Sequence, residues 1–221
     1  MNEILILIPA YNAAGYLSEL VARIRAAVSQ ADILIINDGS KDNTSDVLKG
    51  LNVTYLTNAP NQGKGFTLQR GFDYAVEKGY DYVITIDADL QHLPEELPSF
   101  INYGMKTELI IGTRAIKLSL MPFARWVTNN LTSIIISIFS GKRIRDSQSG
   151  YRMIAVELLR KMQIKSIKYD YESEILFQAG ALDAAIGEVA ITTVYEGSHS
   201  YINPLVDTGR FIKLIWKRML L

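Results

Sequence analysis

Short apolar runs alternate with helical periodicities through the first half of the chain. The runs are Ile4–Ile8, Ile33–Ile36, Val53–Leu56, Tyr82–Ile86 and Leu109–Ile111. Each is bounded by polar turn residues, as strands buried on both faces are. Between them, helical patterns fall near residues 16–29, 43–50, 64–78 and 95–104. The first of these carries Leu17, Leu20, Val21, Ile24 and Val28 at helical spacing. This alternation, with short connections, predicts an α/β fold: a mostly parallel sheet with helices on both faces.

The second half is less regular. Its most apolar window, 118–139, contains Arg125, Asn129 and Asn130, which count against a membrane span. Read as a helix starting at Pro122, it stacks Arg125, Asn129 and Ser133 at i, i+4 and i+8. Phe123, Val127, Leu131, Ile134, Ile135 and Ile138 cover the remaining arc. Such a helix suits a buried core position and a membrane interface equally. A turn-rich stretch at 143–152 follows, then a helix near 171–182, a strand at 185–195 and a basic amphipathic end from Gly209.

Composition narrows the class. The chain has 221 residues, 48% of them hydrophobic, enough for one full core. Its 23 basic and 23 acidic residues cancel, so a general electrostatic grip on nucleic acid is not indicated. The absence of cysteine excludes disulfides, thiolate metal sites and a cysteine nucleophile, and fits a reducing compartment. The N-terminal MNEILILIPAYN lacks the basic start and cleavage site of a signal peptide.

Candidate chemistry collects at the strand ends. Pro9-Ala10-Tyr11-Asn12, Asn37-Asp38-Gly39-Ser40, Asp87-Ala88-Asp89 and Gly112-Thr113-Arg114 follow four of the five runs. Parallel sheets bind ligands at that edge. Asp87, Asp89 and Gln91 occupy alternate positions, which in extended chain would point one way. Oxygen donors without His or Cys suit Mg²⁺ or Mn²⁺ shared with a diphosphate. A solvated acidic turn explains the same triplet. The 37–46 stretch serves either a ligand at Asp38 or an Asx-type turn capping a helix near Asp42 or Asn43. NQGKGFT, 61–67, offers helix-start N–H groups and Lys64 to a phosphate, or is a glycine-rich helix start with a solvated lysine. Arg114 and Arg125 suit phosphate, or a structural ion pair. Residues 145–152 are a catalytic loop or a turn entering a strand, and His92 and His199 are not read as metal ligands.

Taken together and in order, Pro-Ala-Tyr-Asn, Asn-Asp-Gly-Ser, Asn-x-Gly-Lys-Gly, Asp-Ala-Asp-Leu-Gln-His, Ile-Gly-Thr-Arg and Asp-Ser-x-Ser-Gly-Tyr-Arg resemble family-2 glycosyltransferases of the GT-A fold. The nearest branch is the dolichyl-phosphate mannosyltransferase-like and polyprenyl-phosphate glycosyltransferases. The resemblance implies a Rossmann-like sheet in a single domain, 1–221. Residues 1–112 would bind the nucleotide sugar and 113–221 the acceptor. It implies that Pro9, Tyr11, Asp38, Lys64, Asp87, Ala88 and Asp89 contact the nucleotide sugar. Asp87, Asp89 and Gln91 would hold Mg²⁺ or Mn²⁺, and Arg114, Arg125 and Ser200 the acceptor phosphate. Residues 196–214 resemble a loop that closes over the site in bacterial relatives. The chain departs from many members at Ala13, usually Glu, and at Asn37, usually Asp.

The implied activity is inverting, metal-dependent transfer from a GDP- or UDP-sugar to a polyprenyl phosphate. Asp89 would be central to catalysis. A sugar-hydroxyl acceptor would instead need a general base, for which Asp146 and Glu172 are the candidates. A dehalogenase-type Mg²⁺ phosphatase is the alternative from another class, though Gln91 stands where that motif has Thr. The implied location is cytoplasmic, with peripheral membrane contact through the helices at 122–139 and 209–220.

Overall fold

The computed structural model describes residues 3–103, 107–114, 123–164, 171–192 and 194, with the backbone alone at 123–129 and 139. Strands β1 (Ile4–Ala10), β2 (Asp32–Asn37), β3 (Thr54–Thr57) and β4 (Tyr82–Thr85) alternate with helices α1 (Leu17–Ala27), α2 (Thr44–Gly50) and α3 (Lys64–Lys78). A 3₁₀ turn at Pro94–Glu96 leads into α4 (Leu97–Asn102), then β5 (Leu109–Arg114) and α5 (Phe123–Ser140). The chain continues through β6 (Arg152–Ala155), α6 (Val156–Lys161), α7 (Tyr171–Ala181) and β7 (Ile186–Ile191).

The seven strands form one sheet in the order β3-β2-β1-β4-β6-β5-β7. β1 pairs parallel with β2 and β4 on its two sides. Its residues Leu5–Ile8 are buried on both faces, which is why the sequence reads as a continuous apolar run. Helix α3 turns Leu68, Phe72 and Ala75 onto the sheet, and α1 does the same with Leu17, Leu20, Val21 and Ile24. Their three- and four-residue spacing is the one that aligns side chains on a helix face.

One strand breaks the parallel pattern. β6 runs antiparallel to both β4 and β5. The stretch at 145–152 is thus a turn entering a strand, the second of its two readings. Because β4 and β5 both oppose β6, they run the same way. The ends of β1, β2, β4 and β5 therefore share one edge, and β6 begins there.

Helix α5 has inverted polarity. Thr132, Ser133 and Ser140 are buried, whereas Leu131, Ile134 and Ile138 are 55%, 56% and 72% exposed. Its inner hydroxyls have a definite task. Ser133 Oγ donates to Ser147 Oγ at 3.0 Å and accepts from the Ser147 N–H at 3.1 Å. Ser137 Oγ accepts from the Ile144 N–H at 2.9 Å. The helix thereby holds the 144–147 loop, satisfying polar groups that would otherwise be costly to bury.

Helix α7 packs on α5 through Gly180. A Cβ there would lie 2.5 Å from the backbone of Ser140. Gly180→Ala should therefore force the helices apart and destabilise the fold by about 1–3 kcal/mol. Urea unfolding of the variant beside wild type measures this, and an unchanged midpoint would refute the close approach.

Candidate active site

The acidic stretch after β4 is not extended. The Ile86 N–H still donates to the Leu7 carbonyl at 3.1 Å, but the chain turns at 88–90, with Leu90 at a φ of 58°. The Gln91 N–H closes an Asx-type turn on Asp89 Oδ1 at 3.1 Å. Strand alternation therefore does not explain why Asp87 and Asp89 are neighbours. A turn brings them together at the sheet edge, and the premise of an extended triplet is corrected.

Lys64, the first residue of α3, reaches across to this turn. Its Nζ lies 2.8 Å from Asp87 Oδ1 and 3.1 Å from Glu172 Oε1 on α7. The side chains of Lys64 and Glu172 are only 22% and 10% exposed. Lys64 is thus not the solvated lysine of the alternative reading. Burial alone would lower its pKa, but Asp87 and Glu172 outweigh burial and raise it. Asp87 is affected in the opposite sense. Burial would raise its pKa, yet Lys64, and more weakly His92, hold it below the usual carboxylate range.

Gly150 makes this approach possible. A Cβ on it would stand 3.0 Å from Asp87 Oδ2 and 3.1 Å from Lys64 Nζ. Arg152, two residues on and 2% exposed, donates to the carbonyls of Ser147, Ser149 and Glu172. It ties the loop before β6 to the start of α7. The 145–152 motif was visible in the sequence. Its partnership with Glu172, 20 residues away, carried no sequence signal.

Asp89 differs from Asp87. Burial first, then the Asp87 charge, raises its pKa. Among the described residues no basic side chain pairs with it. Lys64 is thus in direct contact with two carboxylates, Asp87 and Glu172, while Asp89 beside them has no ion-pair partner among the described residues. That deficit of positive charge and the all-oxygen donors Asp87, Asp89 and Gln91 fit a hard divalent cation. Among the described residues no three acidic or histidine side chains form a ready cage. Mg²⁺ and Mn²⁺ sites completed by water and phosphate need none. His92 is buried against Tyr151, and burial takes its pKa down to about 4, so it is neutral.

Asp38 is engaged by the protein itself. Its Oδ1 accepts from Asn58 Nδ2 at 2.8 Å and from the Gln62 N–H at 2.9 Å. Its Oδ2 accepts from the Gly63 N–H at 2.8 Å. It anchors the loop that delivers Lys64. The turn reading of 37–46 also holds, because Asn37 Oδ1 accepts from the Ser40 N–H and Asp42 Oδ1 from the Thr44 N–H. Pro9 and Tyr11 are half-buried beside this turn, and Ala88 is buried.

Arg114 and Asp146 form a forked ion pair, with Nε to Oδ2 at 2.6 Å and Nη2 to Oδ1 at 2.8 Å. Asp146 is 1% exposed and both its oxygens accept from Arg114. Asp146, expected as a general-base candidate, is thus placed where it orients Arg114. The Arg125 side chain, Ser200, His199 and the segments 196–214 and 209–220 lie outside the described residues.

This is an α/β fold of the GT-A type. It superimposes on glucosyl-3-phosphoglycerate synthase from Mycobacterium tuberculosis, in complex with Mn²⁺, UDP and phosphoglyceric acid, with a TM-score of 0.74. That match is 17% identical and covers 99% of this chain and 78% of the other. The chain belongs to glycosyl transferase family 2, whose model matches residues 5–166. It is 30% identical to undecaprenyl-phosphate mannosyltransferase of Micrococcus luteus, over 87% of this chain and 84% of that one. It is also 30% identical to UDP-N-acetylglucosamine–dolichyl-phosphate N-acetylglucosaminyltransferase of Methanococcus voltae, over 87% and 86% of the two chains. Membership of this family sets the phosphatase alternative aside.

If Asp38 organises the Lys64 loop, Asp38→Ala should destabilise the ligand-free protein by about 1–3 kcal/mol, because buried Asn58 and two loop N–H groups lose their acceptor. Chemical denaturation without nucleotide tests this. Unchanged stability would return Asp38 to a purely ligand-binding role.

Proposed function

We propose that the protein transfers a sugar, with inversion, from a nucleoside diphosphate sugar to a polyprenyl phosphate. The observation that carries the choice of acceptor is the state of the two base candidates. Asp146 is locked to Arg114 and Glu172 faces Lys64. A sugar hydroxyl would need one of them free to take a proton. A lipid phosphate is already anionic and needs none. The two relatives named above act on polyprenyl-type phosphates, which agrees with this reading.

Asp87, Asp89 and Gln91 would hold a divalent cation. When bound, it supplies Lewis acidity to the diphosphate leaving group. The chain's own residues do the positioning. Lys64 and the α3 N-terminus set positive potential beside the diphosphate. Arg114, held by Asp146, orients the incoming phosphate for in-line attack. Pro9, Tyr11 and Asp38 border the nucleotide. Arg125 and Ser200 complete the acceptor site.

The exposed Leu131, Ile134 and Ile138 on α5 fit the same acceptor. No helix among the described residues is long and apolar enough to cross a membrane. An outward apolar stripe followed by Arg143, beside Lys142 and Arg145 in ion pairs with Asp183 and Glu188, suits a bilayer surface, where the lipid phosphate is found. The protein is then a peripheral enzyme at the membrane face.

Purified protein challenged with UDP- and GDP-sugars plus Mn²⁺ or Mg²⁺ should show thermal stabilisation by one nucleotide class. The same donor should glycosylate a polyprenyl phosphate, and Asp89→Ala should lower that rate by about 10²-fold or more. Transfer to a hydroxyl acceptor, with none to the lipid phosphate, would overturn the acceptor reading. Co-sedimentation with anionic vesicles tests the α5 face. The pair Ile134→Asp and Ile138→Asp should lose vesicle binding while keeping the wild-type unfolding midpoint. Undiminished binding would place the contact elsewhere.

A further inference from the structure

We propose that Glu172 is a positioning residue for the metal site, the alternative anion that receives Lys64 when a divalent cation takes Asp87. This rests on Asp87 and Asp89 being the metal ligands, as proposed above. The geometry points to it directly. Lys64 Nζ is within ion-pair distance of both carboxylates at once, 2.8 Å from Asp87 and 3.1 Å from Glu172. The two acids come from opposite parts of the fold, the turn after β4 and the first turn of α7.

Consider the charges as a cation arrives. Without it, Lys64 neutralises Asp87. A divalent cation on Asp87 competes with the ammonium for the same oxygens and repels it. Lys64 is too enclosed to escape fully to water, since its side chain is 22% exposed. A buried charge left without a partner is strongly unfavourable. Glu172 removes that penalty, because Lys64 keeps an anion while it releases Asp87. Glu172 itself is held in place from behind, where Arg152 Nη1 donates to its carbonyl at 2.7 Å. On the opposite side, Gly150 leaves no side chain in the path between Asp87 and Lys64.

Glu172 therefore sets metal affinity through Lys64 without touching the metal. Removing its charge leaves Lys64 bound to Asp87 as a competitor of the cation. Removing Lys64 as well abolishes the competition. A merely structural role for Glu172 could not produce that rescue.

The test is titration with Mn²⁺ alone, free Mn²⁺ being read by electron paramagnetic resonance, without sugar donor or acceptor. Glu172→Gln should weaken Mn²⁺ binding by about 10-fold or more. Glu172→Asp, which keeps the charge, should bind more tightly than Glu172→Gln. The double variant Glu172→Gln with Lys64→Met should recover wild-type affinity or exceed it. Thermal melts in the absence of metal confirm that each variant is folded. Equal affinity in wild type and Glu172→Gln overturns the proposal, as does a double variant no tighter than the single one. A wild-type protein that binds no Mn²⁺ overturns the metal site itself and this proposal with it, a result distinct from the other two.

Discussion

The site depends on one buried ammonium shared by two acids. Lys64 begins α3, Asp87 follows β4 and Glu172 lies in the first turn of α7, so a single charge cluster joins the early strands to the late helix. Burial alone would raise the pKa of Asp87. Lys64 keeps Asp87 ionised, and Gly150 is small enough to let them meet. The loop from Asn58 to Gly63 exists in its present form because Asp38 accepts three hydrogen bonds from it. Asp38, Lys64 and Asp87 are thus successive links of one arrangement, each placing the next.

A second chain of dependence runs through α5. Its serines face inward and fasten the 144–147 loop, which fixes Asp146 and hence Arg114. Leu131, Ile134 and Ile138 are left facing out, while Ile136 joins the core. One helix thereby does two things that a uniformly apolar core helix could not. It steadies the guanidinium at the end of β5, and it offers an apolar surface of the kind that a lipid acceptor's membrane would cover.

The fold was legible because its signal was periodic. Runs such as Ile33–Ile36 and the spacing of Leu17, Leu20, Val21 and Ile24 report burial directly, and the strands and helices fall where those patterns lie. β6 was harder to see. Its four residues are too few for periodicity, and its antiparallel direction is set by pairing with β4 and β5, not by its own sequence. The strand-end motifs pointed to the correct edge, but the geometry assumed for Asp87 and Asp89 was wrong, because nothing local announces the positive φ at Leu90. The ion pairs were illegible for a related reason. Arg114 and Asp146 are 32 residues apart, and only the folded sheet decides that both base candidates are already taken.

The placement of Lys64 follows from the same physics. A cation at a helix N-terminus opposes the helix dipole, and the first turn of α3 contains no acid to compensate. The dipole alone would select against a lysine there. The position is tenable because Asp87 and Glu172 supply from elsewhere the negative charge that the first turn lacks. A diphosphate entering the same edge would meet that helix end and that ammonium together, and it would add negative charge beside carboxylates that already outnumber their cation. Asp89, with burial and the Asp87 charge both raising its pKa, is the group whose charge a cation at this edge would stabilise most.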